Sequence, residues 1–313
     1  MYYFIINPKS RSGRGKAIWD LVKERLDELQ IQYEFYYTKH KNHATELTTY
    51  LCNNVSGPKE IVVLGGDGTI NEVMNGILNF EEVCLSYIPS GSSNDFARSL
   101  RISSNWKEAL ATVLAPPKQV KVDIGELEVY DSSNTISSTQ RFAVSSGIGY
   151  DATICYEALT SKIKNFLNRL HLGKLTYGLI AAKQVLCYKF TSGDLIIDGK
   201  DKQHYDEILF LVGMVHPFEG GGAKLAPNAD YQDQKLSVCF VHGLKRWKTL
   251  FLLPTAFAAK HTKFHGVTIF DCDTLDLLQA DPKVTHTDGE FSGKTQHIRM
   301  RCNRHHLLVN APL

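Results

Sequence analysis

The residues with the most chemical content are Gly65-Gly66-Asp67-Gly68-Thr69, with Asn71-Glu72 close behind. They follow four apolar residues, Ile61 to Leu64, and precede apolar positions at Ile70, Val73, Met74, Ile77 and Leu78. The first run suits a buried strand and the second spacing suits a helix, so the glycines form a tight strand-to-helix turn. Such a turn presents bare backbone N–H groups at the positive end of a helix, where phosphate is favoured. Asp67, in its middle, is too acidic to meet a phosphate without a cation between them. The turn therefore predicts a nucleotide polyphosphate held with a metal ion.

Two further turns have the same placement. Asn7-Pro8-Lys9-Ser10-Arg11-Ser12-Gly13-Arg14-Gly15-Lys16 follows the strand-like Tyr2–Ile6, and its cations and glycines fit a second phosphate-gripping loop. Pro89-Ser90-Gly91-Ser92-Ser93-Asn94-Asp95 follows the strand-like Leu85–Ile88, with Ser93 or Asn94 as a helix N-cap or a base or ribose contact.

The elements that position these turns alternate. Tyr33–Tyr37 is strand-like. Ala17 to Leu29, His43 to Leu51 and Asn105 to Leu114 are helical, so the first third predicts a parallel sheet with helices on both faces. In such sheets the ligand sits at the carboxyl ends of the strands, where all three turns fall. After Pro116-Pro117 the pattern changes to short β-type runs: Val120–Tyr130, Arg141–Ser145, Leu195–Ile197, Glu207–Val212, Leu236–Val241, Val267–Phe270 and Leu275–Leu278. Asp198-Gly199 signals a hairpin, residues 158–189 read as a basic helical insertion, and Ser132 to Thr139 as a loose loop.

The 313 residues suit two domains, and 43% hydrophobic with 22% charged residues is ordinary for a soluble protein. Seven scattered cysteines without a CxxC pair argue against a disulfide framework or a zinc site and for a reducing cytosol. The N-terminus does not read as a signal peptide, and Leu250 to Ala259 is too short to span a bilayer and contains Pro254. Net charge is +2 but uneven. Residues 158–190 hold six cations and no acid, and residues 240–270 hold five cations and no acid, both interleaved with apolar side chains. That pairing suits an anionic membrane surface, with two solvated helix faces as the plain alternative. Nucleic acid is disfavoured, because no recognition motif is present and the remainder of the chain is acidic.

Taken together, the NP…SG loop, GGDGT-x-NEV and GS-x-NDFAR resemble the diacylglycerol kinase catalytic domain, shared by bacterial diacylglycerol kinases, sphingosine kinases and ceramide kinases. The resemblance continues through Val122-Asp123-Ile124-Gly125, Ser146-Gly147-Ile148-Gly149-Tyr150-Asp151, Gly220-Gly221-Gly222 with Pro227-Asn228-Ala229, and Asp288-Gly289-Glu290. It implies an α/β + β fold: a Rossmann-like nucleotide-binding domain over 1–122, a β-sandwich lipid-substrate domain over 123–300, and a tail, 301–313, returning to the first domain. It implies ATP between the domains. Asn7, Ser12, Gly13 and Arg14 would hold phosphates, Thr38 would lie near the nucleotide, and Gly65, Gly66, Asp67, Gly68, Thr69, Asn71 and Glu72 would wrap it. Ser92, Asn94 and Asp95 would complete that site. Asp288 matches the proton acceptor, with Glu290 beside it and Asp67 as a metal-side catalytic residue. A second, structural Mg2+ is implied near Asp233, with backbone carbonyls of Asp230 and Lys235 and, through water, Asp123.

Four positions depart from the family pattern. Gln234 stands for a glycine and Ser237 for an acid in the metal motif, Ser92 for threonine, and His216 for asparagine. His216 reads as a buried, satisfied histidine, with an altered acceptor pocket as the alternative. The resemblance implies an ATP-dependent kinase of diacylglycerol or a related lipid alcohol, working peripherally at the cytoplasmic face of the cell membrane, with a homodimer among its partners. The rivals are a soluble-substrate kinase of the NAD kinase type and a catalytically silent nucleotide-binding regulator on membranes.

Overall fold

The computed structural model describes residues 1–160, 184–185 and 187–312. The first half begins with β1 (Tyr2–Ile6), α1 (Ser10–Glu28), β2 (Tyr33–Tyr37), α2 (His43–Asn54), β3 (Lys59–Gly65), α3 (Asp67–Asn75) and β4 (Val83–Pro89). It ends with the short α4 (Asp95–Ser99) and with α5 (Trp106–Leu114). Strands β2, β1, β3 and β4 pair in that order, all parallel. Every residue of β4, and all but one of β3, is buried, as expected where helices cover both faces of a parallel sheet. One face packs Ile61, Val63, Leu85 and Ile70 with α2 and α3. The other packs Phe4, Val62 and Leu64 against Trp19, Val22 and Leu26 of α1 and Leu110 of α5. Each such fully buried side chain contributes roughly 1.5–3 kcal/mol.

The second half is built from β5 (Gln119–Tyr130), β6 (Ile136–Phe142), β7 (Ser145–Gly149), α6 (Tyr150–Thr160), β8 (Thr191–Ile197) and β9 (Gln203–Met214). It continues with β10 (Leu236–His242), α7 (Arg246–Ala256), β11 (Val267–Cys272), β12 (Thr274–Thr287) and β13 (Glu290–Asn310). Apart from β13 against β4, all pairings here are antiparallel. Inward faces of β5 to β13 enclose one core that includes Leu127, Phe142, Leu211, Phe240, Leu275 and Ile298, which is the interior of a sandwich. Strand β13 joins the halves. Its middle pairs with β5 and β12, and near its end Leu308 and Val309 pair in parallel with Cys84 and Leu85 of β4. No helix among the described residues is long and apolar enough to cross a membrane.

Two expectations change. Residues 132–139 are not a loose loop. Asp131 Oδ1 accepts the N–H groups of Ser133 and Thr135, making a tight turn, and Ile136 begins a strand paired to β5. Arg141–Ser145 is not one strand either: the chain breaks at Ala143-Val144 between β6 and β7. Most of the basic insertion, 161–183, lies outside the described residues.

Candidate active site

The three sequence-predicted turns leave β1, β3 and β4 and lock onto one another. Asn7 Nδ2 donates to Thr69 Oγ1 at 3.2 Å, and the hydroxyls of Ser10 and Ser90 are 2.7 Å apart. The Gly65 carbonyl accepts from the backbone of Ser90 at 2.7 Å and of Gly91 at 3.1 Å. The Tyr87 hydroxyl lies 3.2 Å from both that carbonyl and Asn94 Oδ1. The approach is close enough to require glycine: a Cβ on Gly91 would stand 2.6 Å from Gly66 Cα and 2.7 Å from Asn94 Oδ1. In the first loop Arg11, Ser12 and Gly13 take left-handed φ values of 44°, 59° and 94°, so regular helix starts only after them. Ser12, Gly13, Arg14 and Ser92 are exposed.

Asp67 ties the second turn to the third. Its Oδ2 accepts from the Asp95 N–H at 3.1 Å and its Oδ1 from the Phe96 N–H at 3.3 Å, so it caps α4 from 28 residues away. Burial and the neighbouring Asp95 push its carboxyl up to about 7, against the pull of those two N–H donors. Burial likewise raises Asp95. Its Oδ2 accepts from Gly221 N–H of the second half at 2.8 Å. Among the described residues its Oδ1 is buried without a hydrogen bond, with the Arg98 guanidinium 3.5 Å away. Two adjacent desolvated carboxylates, one with an orphaned oxygen, are a donor set that fits a hard divalent cation.

From the second half comes the hairpin between β12 and β13. Asp288 and Gly289 both have positive φ, 48° and 81°, the pattern of the tight two-residue hairpin turn that Asp-Gly favours. The Asp288 carboxylate takes four donors. Oδ2 accepts from Asn71 Nδ2 and Ala143 N, both at 2.8 Å, and Oδ1 from Val144 N at 2.8 Å and Ser145 N at 3.0 Å. Burial still leaves its carboxyl raised. Glu290 lies over the glycine turn: a Cβ on Gly68 would come within 3.4 Å of Glu290 Oε1, and Lys41 Nζ holds Oε2 at 3.2 Å.

Beneath that hairpin, Gly289 N–H points at His286 Nδ1 at 3.2 Å, which puts the ring proton on Nε2. Nε2 then donates to Asp151 Oδ2 at 2.9 Å, with Glu219 Oε1 at 3.4 Å. The three ligand atoms lie within 4.8 Å of one another, but an imidazole with its proton on Nε2 braces the turn rather than coordinating a cation.

Not every predicted residue joins the site. Glu72 faces the other way: its oxygens accept from Asn42 N at 2.9 Å and Ala44 N at 3.1 Å, capping α2. Thr38, by contrast, stays at the carboxyl edge where β2 ends: its N–H donates to the Ile6 carbonyl at 2.8 Å, next to Asn7. His216 is fully buried, yet neither ring nitrogen has a hydrogen-bond partner among the described residues, correcting the expectation of a satisfied histidine. It packs as an apolar ring between Phe96 and Tyr231, and desolvation lowers its pKa to about 3. At the expected second metal, Asp123 Oδ2 accepts from Gln234 N at 2.7 Å and Oδ1 pairs with His306 Nδ1 at 3.0 Å. Asp233 Oδ1 accepts from Lys235 N at 2.9 Å, and Asp230 Oδ1 from Gln232 N at 3.0 Å. Each of these carboxylates thus serves a backbone N–H donor, and Asp123 an imidazole besides. Sequence reading gave no role to Tyr87 or to the Ala143–Ser145 backbone, which belong to no motif, nor to Ser10 and Ser90, which lie inside the first and third loops; their roles come only from loops meeting in space.

Against known proteins, residues 1–127 match the diacylglycerol kinase catalytic domain, and residues 147–309 match the YegS C-terminal NAD kinase beta sandwich-like domain. The chain belongs to the diacylglycerol kinase catalytic-domain family. It is 28% identical to the "Putative lipid kinase YtlR" of Bacillus subtilis, covering 94% of each chain. It is 26% identical to the diacylglycerol kinase of Staphylococcus carnosus, covering 93% of this chain and 88% of that one. Among solved structures, a diacylglycerol kinase of Bacillus anthracis superposes with TM-score 0.68 at 18% identity, covering 99% and 96%. Yeast NADH kinase shares the fold more loosely, with TM-score 0.54 at 10% identity, covering 100% of this chain and 84% of that one.

Proposed function

We propose that this protein is an ATP-dependent lipid kinase that phosphorylates the hydroxyl of diacylglycerol, or of a related lipid alcohol, to give phosphatidic acid or its counterpart. The observation that carries the reading is the Asp288 carboxylate, brought by a second-half hairpin to within 2.8 Å of Asn71 on the helix that opens from the glycine turn. Phosphoryl transfer needs in-line positioning and charge neutralisation more than covalent help. The N–H groups of the first loop with Asn7, Ser12, Gly13 and Arg14, and the turn over Gly65 to Thr69, would grip the phosphates. Asp67 and Asp95 would hold Mg2+, which when bound neutralises phosphate charge.

Asp288 would take the proton of the attacking hydroxyl. Its four lone-pair positions are filled, so one donor must yield. Three are backbone N–H groups fixed by the chain; the fourth, Asn71 Nδ2, is on a rotatable side chain and is the one the hydroxyl would replace. Glu290, above Gly68, would orient the acceptor. Since the acceptor is a lipid, catalysis would take place at the anionic cytoplasmic face of the membrane. Incubation with labelled ATP, Mg2+ and mixed micelles of diacylglycerol and other lipid alcohols tests this: a lipid-soluble labelled product is expected. No such product across a broad panel, with phosphorylation of NAD in detergent-free buffer, would return the protein to the NAD kinase class whose fold it shares.

A further inference from the structure

Helix α7 turns an apolar face to solvent. Thr249, Leu252 and Ala256 are buried against the second-half core, so that side of the helix is spoken for. Yet Trp247, Leu250, Phe251 and Pro254, at i, i+3, i+4 and i+7, are also exposed as one stripe, with Trp247 and Phe251 each 59% accessible. Phe257, 56% exposed, extends the stripe beyond the helix. An open groove of about 460 Å³ runs between Trp247, Phe251 and Phe264. A surface helix should carry polar residues on this side; one apolar on both sides expects a second apolar partner.

The charge around the stripe identifies that partner. Lys248 and Lys263 line the groove, Lys245 and Lys260 are exposed beyond either end of the helix, and residues 241–269 contain no carboxylate; Arg246 is turned to the Val185 carbonyl and the Phe190 ring. Lys248 Nζ sits 5.7 Å from the Trp247 ring centre. A second copy docking through the same face would set four lysines against four, which like-charge repulsion opposes. An anionic bilayer satisfies both features: aromatic and aliphatic side chains enter the headgroup boundary while lysines stay at the phosphate level.

We infer that α7 is a membrane-docking element, lying in the plane of an anionic bilayer with Trp247, Leu250, Phe251 and Phe257 inserted. The choice of a bilayer as partner rests on the lipid-kinase reading. The placement serves that reading, because the Ala256 carbonyl accepts from Lys224 N at 3.0 Å. Lys224 stands two residues after the Gly220–Gly222 loop, whose Gly221 N–H reaches Asp95, so the docked helix and the nucleotide loops are in mechanical contact.

Vesicle binding by the full chain, without nucleotide, tests the inference. With phosphatidylcholine vesicles doped with phosphatidylglycerol, the protein should sediment, salt should release it, and tryptophan emission should shift to the blue. Trp247→Phe should remove that shift, since Trp19 is already fully buried and Trp106, half-buried on α5, is packed in the first half. Phe251→Asp should abolish sedimentation with an unchanged melting temperature, because the ring touches mainly solvent. Lys248→Gln and Lys263→Gln should each weaken binding by roughly five-fold. Absence of sedimentation with anionic vesicles, or wild-type binding by Phe251→Asp, overturns the inference. So does a concentration-dependent dimer that Phe251→Asp dissolves, which would give the stripe to a second copy. Turnover in detergent micelles separates the two readings: binding without turnover sinks the kinase, and turnover without binding sinks the docking.

Discussion

Asn71 Nδ2 lies 2.8 Å from Asp288 Oδ2, and this single hydrogen bond connects a helix of the nucleotide half with a hairpin of the β half. The two residues are 217 positions apart. Around them the Ala143–Ser145 backbone completes a four-donor nest that opposes the rise burial imposes on the carboxyl. Asp288→Asn puts an NH2 where two donors already point. It should cost roughly 1–3 kcal/mol of stability and remove turnover altogether. Asn71→Ala leaves three donors in place, so it should cost only about 1 kcal/mol and lower kcat with KM for ATP nearly unchanged. Urea denaturation and steady-state kinetics on both variants check this; turnover by Asp288→Asn near the wild-type rate would refute Asp288 as proton acceptor.

Gly91→Ala should be far more damaging than its size suggests. The new methyl would lie 2.6 Å from Gly66 Cα, backbone that cannot swing away, and 2.7 Å from Asn94 Oδ1. Gly66→Ala meets its nearest atom at 3.2 Å and should be milder. The third loop would be pushed off the second, separating Asp67 from the N–H groups of Asp95 and Phe96. Nucleotide titration of the two variants should find Gly91→Ala the weaker binder; the reverse order would mean the loop contact does not form the site.

Much of this geometry was legible in the sequence because its signals are local. The strand, glycine turn and helix over 61–78 need only hydrophobic spacing and glycine, and Asp288-Gly289 announces its own turn. The break at Ala143-Val144 is not legible. Its residues read as strand, and only the Asp288 carboxylate from a distant hairpin gives their N–H groups a reason to leave the ladder. Glu72 fails for a similar reason. It sits in a motif otherwise turned to the site, yet α2 passes close enough to claim its carboxylate. His216 reads as polar by type, while packing between two rings makes it behave as apolar.

That misplacement of Glu72 has a measurable consequence. Its carboxylate caps the N-terminus of α2 through Asn42 and Ala44, and its carbonyl accepts from the Thr45 hydroxyl at 2.8 Å. Glu72→Ala should therefore lose ~1–2 kcal/mol in denaturant melts while KM for ATP stays where it was. A large rise in KM at unchanged stability would hand Glu72 back to the nucleotide.

Asp67 predicts a pH dependence. In an unfolded chain its carboxyl titrates near pH ~4; in the metal-free folded protein it titrates at about 7. A raised acid binds its proton more tightly when folded, so its stabilising contribution is complete below about 4 and is lost as pH rises through about 7. The melting temperature of nucleotide- and metal-free protein should fall across that window, and Asp67→Asn should flatten the fall. Parallel curves for the two proteins would show that Asp67 is not the group being titrated.

The last prediction concerns the domain junction, where family resemblance implies a structural Mg2+ and the geometry offers a histidine. His306 Nδ1 at 3.0 Å and Gln234 N–H at 2.7 Å occupy both oxygens of buried Asp123, whose own N–H donates to the Tyr231 carbonyl at 2.7 Å. His306 is on β13, the strand that joins the halves, so the pair stitches β13 to β5 and to the loop before β10. Removing one partner of such a pair leaves a buried carboxylate short of a donor, at a cost of roughly 1–3 kcal/mol. His306→Ala should therefore melt lower, while EDTA and added Mg2+ should leave the wild-type melting temperature unchanged in the absence of nucleotide. In the variant, with one Asp123 oxygen released, added Mg2+ should recover part of the lost stability. A wild-type protein that EDTA destabilises would mean that a cation, and not His306, holds Asp123 in place.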